Sequence, residues 1–186
     1  MGDDLRTVKS KKAIEGALLS LLEITPFSKI TMTNIAEKAM VNRNTIYLHY
    51  QSKEDIVVSI ISDQFKKTFS EINPDEMFPK YLNRHHLKKA FIEVLNTIND
   101  SIDLYRLALM DESLVGYVNI LLVNIKKKIL EFLKPTKKNV LGVEYIVNGS
   151  FGVISRWIIY ATGEIDEIAD LLADFNLSEF RKLNRI

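Results

Sequence analysis

The chain has 186 residues, 47% hydrophobic and 26% charged, with a net charge of +1 and no cysteine. That balance is globular, which excludes a disordered or fibrous chain, and no apolar run is long enough to span a bilayer, so no membrane partner is expected. Disulfide and thiolate chemistry are excluded as well, and a cytoplasmic location is expected.

The start, Met1-Gly2-Asp3-Asp4, lacks the basic and apolar segments of a signal peptide. Charge is unevenly spread. Arg6, Lys9, Lys11, Lys12, Lys29, Lys38, Arg43 and Lys53 face only Glu15, Glu23 and Glu37 over the same stretch. The first quarter is therefore locally basic, as a phosphate-facing module would be.

Few glycines and prolines and little β-type alternation predict an all-α fold. Ala13, Ile14, Ala17, Leu18, Leu21 and Leu22 form one helical stripe, which should stop near Thr25-Pro26. A short helix follows Thr31, with Thr31 or Thr33 as its cap, and another runs from about Asn42 to Tyr50. Ser52-Lys53-Glu54-Asp55 resembles a capping box opening a fourth helix through Ile56, Ile60, Ile61 and Phe65. Prolines at 74 and 79 predict a linker over 72–83. Beyond it, amphipathic stretches predict helices at 85–100, 103–111, 113–134, 137–161 and 164–175, with Pro135 and Gly163 as breaks.

The two short helices meet at a turn, Ala39-Met40-Val41, and bury Ile35, Ala36, Val41, Ile46 and Tyr50 only by packing on each other and on the first helix. This is a helix-turn-helix arrangement. It turns Asn44, Thr45, Tyr47 and Leu48 outward, with Arg43 at the amino end. Arg43 can pair with guanine and Asn44 with adenine, while Thr45 or Leu48 can touch thymine methyls. His49 and Lys53 flank the helix toward phosphates.

The string Ile35-Ala36…Ala39…Val41, Thr45-Ile46-Tyr47…His49-Tyr50, Ser52-Lys53-Glu54…Ile56 resembles the TetR/AcrR family of regulators. Met40 departs from the family's usual turn glycine. The resemblance implies a ligand-responsive regulator, a repressor in most of the family, that binds a palindromic double-stranded operator as a homodimer. It places the DNA contacts at Thr33, Arg43, Asn44, Thr45, Tyr47, Leu48, His49 and Lys53, and Thr31 beside them is a further candidate. It also implies a division into a helix-turn-helix domain, 1–52, and a helical effector-binding and dimerisation domain, 53–186.

The stretch Gly149 to Trp157, followed by Gly163 and an acidic-apolar helix, looks like a branch of the family with a shortened C-terminal domain. That likeness implies a four-helix dimer interface from the last two helices, with Val147, Phe151, Ile154, Trp157 and Ile158 as its candidates and Gly149, Ser150 and Gly152 allowing close approach. An unknown small-molecule effector would lie among Phe65, Phe69, Phe91, Leu95, Tyr105, Leu109, Met110 and Tyr117, residues that fill solid cores equally well. His85-His86 has no further ligand at helical spacing, so no metal is expected. No cofactor motif and no catalytic constellation is visible, so an enzyme is not expected. The alternative is a helical coactivator or adaptor working through protein partners.

Overall fold

The computed structural model describes residues 2–71, 83–133 and 136–183, with side chains described for 7–67, 83–131, 133 and 136–183. Residues 72–82 of the expected linker, Pro135 and the side chain of Phe69 lie outside these. Among the described residues every regular element is a helix, as the all-α reading expects. The chain divides into two compact units, Met1–Ser62 and Asp63–Ile186.

The first unit holds α1 (Gly2–Leu22), a 3₁₀ turn (Phe27–Lys29), α2 (Met32–Lys38), α3 (Arg43–His49) and the start of α4 (Lys53–Glu71). The apolar spacing places Ile14, Leu18, Ile35, Ile46, Ile56 and Val57 in one dry core. Each contributes about 1.5–3 kcal/mol by leaving water, which is what holds two seven-residue helices that could not persist alone. The boundary at Ser62 falls later than the expected one at residue 52, because Ile56, Val57, Ile60 and Ile61 of α4 are buried.

Polar caps set the helix ends. Thr31 Oγ1 accepts from Asn34 N at 3.2 Å, and Asn34 Oδ1 accepts from Thr31 N at 3.1 Å, closing a capping box on α2. Ser52 and Asp55 do the same for α4, each backbone N–H meeting the other's side chain at 3.1 Å. At the end of α2, Val41 N donates to Ala36 O at 3.0 Å and Met40 N to Glu37 O at 3.1 Å. This is a Schellman motif, which requires its penultimate residue to be left-handed. That residue is Met40, at φ 54° and 94% exposed. The turn therefore keeps a glycine geometry without a glycine, at a cost of about 1–2 kcal/mol.

The second unit contains α5 (Arg84–Asn99), α6 (Ile102–Met110), α7 (Val115–Phe132), α8 (Lys137–Tyr160) and α9 (Ile165–Leu183). Leu87, Ile129, Leu133, Val143, Ile146, Ala173, Phe180 and Leu183 form its core. α8 and α9 run antiparallel, Gly142 lying against Leu183 and Ser150 bonded to Asn176. A Cβ on Gly142 would come within 2.4 Å of Leu183 Cδ2, so this glycine leaves room for the Leu183 side chain to lie over α8. Two expectations are corrected. α9 continues past residue 175 to Leu183, because Asn176, Phe180 and Leu183 extend its buried face. The residue that stops α8 is Ala161, left-handed at φ 49° with its N–H on Trp157 O; Gly163 follows in the loop.

Ion pairs lace α5 to α9. Arg84 grips Asp174 through Nε (2.6 Å) and Nη2 (3.1 Å), and Asp170 through Nη1 (2.7 Å). Lys88 reaches Asp166 and Asp170, each at 2.9 Å. Hydrogen bonds from these cations, Lys88 foremost for Asp170 and Arg84 for Asp174, hold both carboxyls below the ordinary aspartate range. No single described helix is long and apolar enough to cross a membrane; α6 and α7 pass that test only together, across a 111° bend.

Candidate nucleic-acid interface

α3 begins where Asn42 supplies its side-chain oxygen to Asn44 N at 2.8 Å. Ile46 and the following Tyr50 are its inward anchors. The opposite arc carries Arg43, Asn44, Tyr47 and Leu48, all exposed, while Thr45 and His49 lie half-covered on its flanks. Leu48 is 83% exposed and Tyr47 46%. A leucine so open on a basic surface has no packing role within the chain and matches an apolar readout of thymine methyls. Thr33 on α2 is exposed as well.

Three expected contacts have partners inside the unit. Lys53 differs most from the sequence reading. Its Nζ donates to Phe27 O at 2.6 Å and Ile30 O at 3.1 Å, and sits 4.4 Å from the centre of the Phe27 ring. The ammonium clamps the 3₁₀ turn to the start of α4 instead of standing free for phosphate, because two carbonyls converge within reach of its stem. Thr31 spends its hydroxyl on the α2 cap, donating to Asn34 Oδ1 at 2.7 Å. His49 Nε2 lies 2.8 Å from Ser10 Oγ, tying α3 to α1. Sequence reasoning missed Ser10, Glu15 and Ser59, which bond to α3 or its cap. No local pattern marks them, since their partners lie 9 to 44 residues away.

In the second unit the expected effector residues separate. Leu95 and Tyr105 are buried, Phe65, Phe91, Leu109 and Tyr117 half-buried, and Met110 is exposed. Met110 is therefore corrected out of an enclosed pocket wall: α6 ends there and its side chain faces outward. Phe65 meets Tyr105 edge-on at 6.0 Å. Tyr105 donates to Gln64 Oε1 at 2.8 Å, and Gln64 Nε2 donates to Ser101 Oγ at 2.9 Å. Burial pushes the Tyr105 hydroxyl above the ordinary phenol range, so it stays a neutral donor.

The expected dimer residues also divide. Val147, Trp157 and Ile158 are buried within their own unit and cannot form a surface, while Phe151 and Ile154 are half-buried. Trp157 Nε1 donates to Gly163 O at 3.2 Å. Open apolar area instead lies at Leu141, Tyr145 (69% exposed) and Tyr160 on α8, and at Leu171 and Phe175 (60%) on α9. A Cβ on Gly149 or Gly152 would meet nothing within 4 Å. Arg156 is exposed, its guanidinium 4.9 Å from the Tyr160 ring centre. Among the described residues no group of three His, Cys, Asp or Glu could hold a metal.

The family model described as bacterial regulatory proteins, tetR family, matches residues 17–60, which span the end of α1 through the recognition arc to the buried start of α4. Over these residues the chain resembles bacterial regulatory proteins of the tetR family. An uncharacterized HTH-type transcriptional regulator YxbF of Bacillus subtilis is 44% identical over 50 residues, covering 27% of this chain and 13% of that protein. The fold is shared with the dihydroxyacetone kinase operon activator DhaS, at a TM-score of 0.68 and 14% identity over 94% of this chain and 97% of that one. It is also shared with FadR of Thermus thermophilus, a TetR-family repressor solved in complex with lauroyl-CoA, at a TM-score of 0.59 and 16% identity, over 92% and 93% of the two chains. In both neighbours the likeness spans the helices beyond the matched segment and is one of fold.

Proposed function

We propose that this chain is a DNA-binding transcriptional regulator of the TetR family that reads a palindromic operator as a homodimer. The observation that carries the reading is the recognition arc: Arg43, Asn44, Tyr47 and Leu48 stand exposed together on a short helix whose other side is fully engaged. Arg43 and Asn44 supply hydrogen bonds to base edges, Leu48 and Thr45 contact thymine methyls, and Tyr47, His49 and Thr33 orient the helix on the backbone. Lys53 and Thr31 support this surface from within. Two such helices, held about 34 Å apart by a two-fold axis, would enter successive major grooves. The apolar face of α8 and α9, with Tyr145, Gly149, Gly152 and Phe175, is the surface we assign to that axis.

The second unit supports an effector reading in its aromatic interior and its Tyr105–Gln64–Ser101 chain, which could re-pair with a polar ligand group. Repression relieved by that effector is the direction of control we propose. The test is selection from a randomised duplex pool, followed by the salt dependence of binding. An enriched two-fold symmetric sequence is expected, with Arg43→Ala relaxing preference at one position per half-site. Enrichment of no sequence would overturn the reading and favour an adaptor that works through protein contacts.

A further inference from the structure

A seven-residue helix held by apolar anchors has a defined depth but a poorly defined roll, because hydrophobic contact is non-directional. Ile46 and Tyr50 are such anchors for α3. Directional bonds must therefore set where Arg43, Asn44 and Tyr47 point. They converge on one carboxylate of α1. Glu15 Oε1 accepts from the Tyr50 hydroxyl at 2.6 Å and from Ser59 Oγ of α4 at 3.0 Å, while the Tyr50 oxygen lies 3.3 Å from Ser59 Oγ. Lys11, one turn earlier on α1, brings its ammonium to 3.8 Å from the same oxygen. Glu15 has an 18% exposed side chain and Tyr50 is 6% exposed, so water competes weakly for these bonds. Beside this junction, Ser10 of α1 meets His49, the last residue of α3.

We propose that Glu15 is the positioning residue of the recognition helix. Its carboxylate joins α1, the α3 C-cap and α4 at one point, and thereby sets the roll of the base-reading arc. Glu15 touches no DNA in this scheme and acts through Tyr50. The inference rests on the DNA-reading function proposed above, and it separates two roles that a single half-buried acid could have. A merely structural Glu15 would stabilise the unit as a whole. A positioning Glu15 would control selectivity between DNA sequences, leaving the sequence-independent phosphate contacts alone.

The variants are Tyr50→Phe, which keeps the ring and removes only the hydroxyl, Glu15→Leu, and Glu15→Gln, which retains an acceptor. Two measurements are made on the full chain. Hydrogen exchange of the amides of residues 43–49, without DNA, should rise about tenfold in Tyr50→Phe and Glu15→Leu, the scale of one lost hydrogen bond to a charged group. Exchange at the α1 core around Leu18 should not change. Affinity for the duplex enriched from the randomised pool should fall about tenfold, affinity for an unrelated duplex should hold, and Glu15→Gln should recover most of the loss. Unchanged exchange in α3, or equal loss on both duplexes, would overturn the proposal. If the unmodified chain enriches no duplex, the DNA reading fails, and the exchange experiment still decides the place of Glu15.

Discussion

Removing the Lys53 ammonium tests whether that residue serves DNA or the fold. Lys53→Met keeps the stem beside Phe27 and deletes only the charge that bonds Phe27 O and Ile30 O. Charge-assisted hydrogen bonds contribute about 1.5–3 kcal/mol each. The ammonium is half-exposed, however, so water can replace part of what is lost, and its place over the Phe27 ring adds only about 0.5–1 kcal/mol. The expected destabilisation is therefore about 2 kcal/mol, read from urea titration by far-UV circular dichroism. Salt dependence supplies the opposing measurement. A phosphate contact would contribute about 0.9 to the slope of log affinity against log salt. With the ammonium engaged on carbonyls, the slope of Lys53→Met on the selected duplex should match that of the parent. An unchanged urea midpoint together with a slope reduced by about 0.9 would refute the clamp and restore a phosphate contact.

Met40→Gly should stabilise the first unit by about 1 kcal/mol, since glycine adopts the left-handed turn freely and the exposed methionine packs on little; a drop in urea midpoint would contradict the Schellman geometry. Tyr145→Arg and Phe175→Glu should each yield folded monomer in sedimentation, whereas a charge at Ile158 should unfold the second unit; an unchanged dimer in both surface variants would move the interface elsewhere. Asp170 and Asp174 have depressed folded-state pKa values, so their ion pairs stabilise above the unfolded aspartate value of about 3.9 and fade as pH falls through the lowered folded values. Trp157 fluorescence should therefore report an acid transition that Asp170→Asn with Asp174→Asn shifts, and an identical transition in the double variant would remove these pairs from the account.

The amino-acid sequence alone determined the helices, the helix-turn-helix and the arc that faces outward. Apolar residues at helical spacing must share one buried side, so placing Ile35, Ile46 and Tyr50 inward turns Arg43, Asn44, Tyr47 and Leu48 outward. Local chemistry also disclosed the Thr31 and Ser52 caps and the strained turn at Met40, because each depends on neighbours within a few residues. Tertiary structure decided the rest. α8 is apolar around more than one side, and periodicity does not say whether α9, α7 or another molecule covers each side; Val147, Trp157 and Ile158 went inward while Leu141, Tyr145 and the Gly149–Gly152 strip stayed open. Lys53 has a long, flexible stem, and its partner was settled by two carbonyls more than twenty residues earlier in the chain. Glu15 became a junction only when folding brought Tyr50 and Ser59 within hydrogen-bonding distance of it, since a directional bond between distant residues leaves no periodic trace in the chain.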